Sequence, residues 1–350
     1  MKSLHLKDKF LKLPIIQGGM GIGVSRCRLA GAVAKEGGMG VLSTAQIGYD
    51  DPDFKKHPEE TNLKVLPEQI QKAKELAGGN GMIAVNIMAV TQLYETYVKT
   101  ACAAGVDAII SGAGLPTDLP KFAEGYDVAL APIVSSKKSA GVILKFWDKK
   151  YHRTADFLVI EGPLAGGHLG FSKEQLDDIP ALDYDAEIRD IIALKQTYEE
   201  KYQTSIPVFV AGGMFTSEDV KHVLELGADG IQAATRFVAT EECDATDAYK
   251  QAYVNASDED VIIIKSPVGM PGRAIKNAFI ERMLAAPDKI SHCFNCLKAC
   301  NPATAPYCIT QALINAVIGD LDNGLIFCGS RVGEIKEITT VAKLMQELTV

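Results

Sequence analysis

Short, nearly unbroken apolar runs recur along the first two thirds of the chain, at residues 13–16, 40–42, 82–87, 108–110, 128–134, 157–160, 208–210 and 230–233. A strand buried on both faces carries that pattern, whereas a half-exposed strand alternates. Most runs are followed by apolar residues at helical spacing, as at residues 28–36 and 67–76, where Pro67 suits a first turn. Residues 50–62, polar and Pro-containing, read as a surface loop. Eight strand–helix units over about 240 residues predict the α/β class, as a closed (β/α)8 TIM barrel in preference to an open doubly wound sheet.

The runs end in glycine or a polar residue: Gln17-Gly18-Gly19-Met20, Ser43-Thr44, Asn86, Ser111-Gly112, Ser135-Ser136, Glu161, Ala211-Gly212-Gly213 and Ala234-Thr235. In a barrel those ends share one rim, where such enzymes place their chemistry. Beyond Phe237 the rhythm stops. Residues 241–253 predict a helix, 261–264 a short strand and 272–283 a further helix. Ile335, Ile338, Val341, Leu344, Met345 and Leu348 predict an amphipathic helix over 334–348 that closes the barrel. The expected organisation is a barrel over 1–239, a smaller and mostly helical cap over 240–328, and the closing helix within 329–350.

Composition narrows the class. With 47% hydrophobic and 23% charged residues in 350, the chain is an ordinary soluble globular protein. A net charge of -8, a pI near 5.4 and the lack of a Lys/Arg block argue against nucleic acid as a partner. Residues 1–10 carry no apolar signal-peptide core and no run is long enough for a membrane span, so a cytoplasmic location without a membrane partner is expected. Eight cysteines in such a chain are not expected to be a disulfide framework.

Two places carry candidate chemistry. Glu161-Gly162-Pro163-Leu164-Ala165-Gly166-Gly167-His168 follows the sixth run, and its glycines let backbone approach a flat or anionic ligand while His168 can exchange protons near neutral pH. Taken alone, a tight turn with a surface histidine is the plainer reading. After the seventh and eighth runs, amides freed by Gly212 and Gly213, with Ala234 and the Thr235 hydroxyl, make a phosphate site that needs no basic residue.

In order and spacing these segments resemble the nitronate monooxygenase (2-nitropropane dioxygenase) family, which also includes flavin-type enoyl-acyl-carrier-protein reductases. The resemblance rests on Gln17-Gly18-Gly19-Met20, Val85-Asn86-Ile87-Met88, Ala165-Gly166-Gly167-His168, Ala211-Gly212-Gly213-Met214, residues 227–232, Thr235-Arg236-Phe237 and residues 272–277. It implies an FMN-dependent oxidoreductase acting on a small molecule, most simply an alkyl nitronate oxidised with dioxygen. An NAD(P)H-dependent enoyl-thioester reductase, or a phosphate- or nucleotide-binding barrel without flavin, are the alternatives. By the family pattern Gly18, Gly19 and Met20 lie against the flavin ring. Asn86 and Gln232 bond its edge or ribityl chain, and Gly212, Gly213, Ala234 and Thr235 hold the phosphate. Gln17, Glu161, Gly166, Gly167 and Ala211 complete the cofactor set. His168 is the catalytic residue, as base or as hydrogen-bond donor to the substrate, in a chain that could form a homo-oligomer.

Two departures stand out. Many relatives have Gly where Ala234 stands, and Ala-Gly-Gln where this chain has Cys328-Gly329-Ser330. The late segment also places Cys293, Cys296, Cys300 and Cys308 as CxxCxxxC plus a fourth thiol. That spacing suits a 4Fe-4S cluster or zinc, and looks like cluster-bearing flavin reductases related to old yellow enzyme; buried free thiols packing the cap are the plainer reading.

Overall fold

A computed structural model describes residues 1–350. Eight parallel strands close into a barrel: Ile15–Gln17, Met39–Ser43, Met82–Met88, Ala108–Gly112, Ala129–Val134, Leu158–Glu161, Val208–Ala211 and Gly230–Ala233. Closure comes from the eighth strand pairing with the first, with Ile231 opposite Ile15 and Ala233 opposite Gln17. The near-continuous apolar runs arise because each strand is buried twice. Ile16, Val41, Ala84, Ile110, Ala131, Val159 and Phe209 fill the interior, while Ile15, Leu42, Val85, Ile109, Leu130, Leu158 and Val208 pack outward against helices. Small residues at Ala84, Ala108, Ala129 and Ala131 leave room inside for Phe157 and Phe209, whose rings meet edge to face. Below them an N-terminal hairpin, Leu4–Leu6 with Lys9–Leu11, inserts Leu6 and Leu11 into the base of this core.

Three local readings are corrected. The second helix runs Pro58–Ala77, so part of the loop expected over 50–62 is helical. Pro58, not Pro67, occupies its first turn, and Pro67 lies inside, where its ring gives up one backbone hydrogen bond. Residues 272–283 are not one helix. Pro271–Ile275 is a strand paired with Val261–Lys265, and the helix Ala278–Ala285 starts only after Asn277, whose Oδ1 accepts from the Ile280 amide at 3.1 Å. The closing helix is shorter than 334–348. Thr339 N–H bonds the Ala239 carbonyl at 3.0 Å, so the helix begins after its Thr340 cap and spans Val341–Glu347. Its Val341, Leu344 and Met345, followed by Leu348, still enter the layer between strands and helices.

What positions the rim is a small antiparallel sheet. Gly167–His168 pairs with Pro271–Ile275, Gly272 standing opposite His168, and the hairpin's other strand is Val261–Lys265. The β-branched run 261–264 thus finds its partner in the next strand, and that strand in turn reaches back to Gly167–His168.

Candidate active site

The rim encloses a cavity of about 450 Å³, a size ordinary for a cofactor or small-molecule site. Of the residues expected there, Gly18, Gly19, Met20, Asn86, Glu161, Gly166, Gly167, His168, Ala211, Gly212, Gly213, Gln232, Ala234 and Thr235 all line it. Gln17 does not. It is fully buried, accepting from Val41 N–H at 3.1 Å and donating to the Gly18 and Val41 carbonyls, so it ties the first strand to the second beneath the rim.

Rim geometry follows from backbone ties between successive strand ends. Gly18 N–H donates to the Ala233 carbonyl at 2.8 Å, and the Ser25 hydroxyl accepts from Met20 N–H at 2.7 Å, which pins the glycine turn after the first strand. Gly166 packs directly on the later chain: a Cβ there would stand 2.6 Å from the Cys328 carbonyl carbon. The Arg273 guanidinium, almost fully buried, donates to the Ala165 carbonyl and locks the same turn from the other side.

At the seventh and eighth strand ends, Gly212 has φ +92° and Gly213 φ +85°, and the amides of Gly212, Gly213 and Ala234 donate to nothing in the protein. Buried or semi-buried N–H groups do not stay unpaired without a ligand or water. The Thr235 hydroxyl accepts from Gly329 N–H at 2.9 Å, which leaves its own proton to donate, and the neighbouring Ser330 Oγ is buried without a partner. Arg331 stands beside them, held by Asp219 at 2.6 Å and by the Gly213 carbonyl at 3.3 Å. This is an anion cradle of unpaired amides and hydroxyls, beside an Arg331 whose charge is already met by Asp219 and Glu334.

Around the middle of the cavity the Asn86, Glu161 and Gln232 side chains make no hydrogen bond within the protein, so they are not spent on local backbone. Tyr184 holds the Glu161 carbonyl at 2.8 Å, fixing the backbone while the carboxyl faces the cavity. Burial pushes that carboxyl up to about 7.

His168 is half-buried, with its ring edge-on to Phe327 at 5.0 Å and Nε2 2.7 Å from Ser266 Oγ. Ser266 also accepts from Val268 N–H at 3.3 Å, in the turn of the 261–275 hairpin. Nδ1 has no protein partner, so it is the nitrogen free to meet a ligand. Burial pulls the imidazole down to about 4, which keeps it neutral at pH 7. Ser266, Phe327 and Arg331 escaped the sequence reading because the contacts that bring them to the site, to His168 for the first two and to Asp219 for the third, lie 98 residues or more away. The polar break Ser266-Pro267 after the run 261–264 was the one available signal.

The four late cysteines line a second, smaller cavity of about 140 Å³. No three His, Cys, Asp or Glu side chains are gathered closely enough to hold one metal ion. No helix is long and apolar enough to cross a membrane.

Comparison with known proteins adds to this. The nitronate monooxygenase family model matches residues 3–350. A probable nitronate monooxygenase of Staphylococcus saprophyticus is 25% identical over 306 residues, covering 80% of each chain. A (3aS,4S,5R,7aS)-5-hydroxy-7a-methyl-1-oxo-octahydro-1H-indene-4-carboxyl-CoA dehydrogenase of Mycobacterium tuberculosis is 26% identical over 280 residues, 77% of this chain and 65% of that one. In fold, FabK from Thermotoga maritima superposes with TM-score 0.71 at 24% identity, covering 97% of this chain and 92% of that one. A nitroalkane oxidase from Streptomyces ansochromogenes does so with TM-score 0.71 at 19% identity, over 97% and 95%.

Proposed function

Because the chain belongs to the nitronate monooxygenase family of oxidoreductases, we propose that it binds FMN in the rim cavity and oxidises alkyl nitronates, with dioxygen as the electron acceptor. The observation that carries this reading is the polar inventory of that cavity. Unpaired amides, uncommitted Asn86, Glu161 and Gln232 side chains and a neutral imidazole all line it.

Those groups fit FMN. The amides of Gly212, Gly213 and Ala234, with the Thr235 and Ser330 hydroxyls, would take the phosphate. Asn86 and Gln232 offer both donors and acceptors to a heteroaromatic edge or a ribityl chain. FMN supplies the electron transfer from substrate to dioxygen, which no side chain here can supply. The protein's own part is position and protons. With Ser266 holding Nε2, Nδ1 of the neutral ring accepts an α-proton from a nitroalkane or, in the other tautomer, donates to the oxygens of a nitronate. Glu161, pushed up to about 7 by burial, is a second proton-exchanging group in the same cavity.

The test is anaerobic: an alkyl nitronate is mixed with FMN-loaded protein and the flavin absorbance is followed. Bleaching that reverses on admitting oxygen is the expected result. Bleaching by NADH or NADPH with no response to nitronate would move the activity to an enoyl-thioester reductase. Failure to bind FMN at all would return the site to a phosphate- or nucleotide-binding role.

A further inference from the structure

Residues 286–308 form a long segment with no helix or ladder strand of its own, between the helices Ala278–Ala285 and Ile309–Val317. Loops of that length inside a compact fold are uncommon unless something holds them for a purpose. It is docked against the third barrel strand's exit, with Gln92 N–H on the Cys296 carbonyl at 3.1 Å and Lys298 N–H on the Val90 carbonyl at 2.9 Å. Phe294 stacks on Phe54 at 5.4 Å. The four thiols that this segment carries, at positions 293, 296, 300 and 308, all line one cavity of about 140 Å³.

Burial favours the protonated form of Cys296, Cys300 and Cys308 in the metal-free chain, and two local features work the other way, toward a negative sulfur. Asn295, in the left-handed region at φ +51°, points its N–H at Cys293 Sγ at 3.4 Å. Cys308 caps the nine-residue helix Ile309–Val317, whose positive end favours a negative sulfur. Four sulfurs around one zinc, each at about 2.3 Å, stand within about 4 Å of one another and leave no cavity between them. Here all four cysteines line one common cavity. A polynuclear centre suits that arrangement, because its inorganic core occupies the middle.

We propose that Cys293, Cys296, Cys300 and Cys308 ligate a 4Fe-4S cluster. The site has a definite address: Cys296, Leu297 and Ile309 line this cavity and also the larger rim cavity. Those three residues form a shared wall between the two cavities, and the cluster's existence does not depend on flavin being bound.

The experiment measures iron, acid-labile sulfide, zinc and FMN on protein purified without oxygen, followed by electron paramagnetic resonance after dithionite reduction. About four irons and four sulfides per chain are expected, with a cluster signal on one-electron reduction by dithionite. A Cys300→Ala/Cys308→Ala variant should lose the iron and sulfide, and Cys27→Ser, outside the cavity, should keep them. Circular dichroism and FMN content show whether the double variant has folded, and the wild-type metal analysis stands without it. One zinc and no sulfide overturns the proposal. So does FMN-loaded protein that holds no iron after reconstitution with ferrous iron and sulfide, whether its thiols are free or paired. Iron and sulfide without FMN would sink the flavin reading and leave the cluster standing.

Discussion

Where the seventh and eighth strands end, the main cavity is walled by backbone; where the sixth ends, it is walled by side chains that titrate. Gly212, Gly213 and Ala234 present amides whose charge distribution does not change with pH, steadied by Thr235 and an anchored Arg331. At the end of the adjoining sixth strand Glu161 is pushed up to about 7, and beyond it His168 is pulled down to about 4, each by burial. The same desolvation therefore moves an acid and a base in opposite directions, and both toward the uncharged form. One end is suited to holding an anion permanently, the other to exchanging protons with something that comes and goes.

The largest expected effect of separating the two ends is at His168. His168→Ala should lower kcat/KM for a nitronate by roughly 10²- to 10⁴-fold, the usual worth of a positioned acid–base group, while FMN content stays as in wild type. Flavin loss in parallel with activity would show that the ends are not separate. The reverse variant is Gly212→Ala. Its Cβ would stand 2.9 Å from the Gly162 carbonyl oxygen in a left-handed backbone that costs a non-glycine residue about 1–2 kcal/mol. FMN affinity should fall roughly tenfold, with turnover per bound flavin kept, measured by titration and by rate.

The smallest effect is on the stability of flavin-free protein against pH. His168 binds its proton less readily folded than unfolded, so its contribution is complete above about 6.5 and is lost as pH falls toward 4. Glu161 binds its proton more readily folded, so its contribution is complete below about 4.5 and is lost as pH rises through 7. In wild type the two slopes oppose each other between those limits. Denaturant titration of Glu161→Gln should uncover stability that rises with pH, and of His168→Asn stability that falls with it. A variant whose slope matches wild type would remove that residue from the account.

The barrel was legible because a strand buried on both faces has to be apolar throughout, and runs such as 208–210 and 230–233 could then end only at the rim. Legible for the same reason were the glycine and polar breaks that line the cavity. Gln17 shows the limit: a polar residue at a strand end can serve its neighbours' backbone as readily as a ligand. The strand Pro271–Ile275 was hidden because Arg273-Ala274-Ile275 passes for helix until its partners, Val261–Lys265 and Gly167–His168, are in place. The His168–Ser266 contact rests on that pairing and has no local trace in the chain.

The pairing of Gly167–His168 with Pro271–Ile275 also sets an order in time. A ribosome delivers the chain from its N-terminus, so the sixth rim turn emerges long before the strand that fixes it. The Thr235 hydroxyl likewise waits for Gly329, and the first barrel strand for the eighth. A nascent chain can therefore carry every rim residue from Gly18 to Thr235 and still lack a finished pocket, which is completed only when nearly the whole polypeptide has been synthesised.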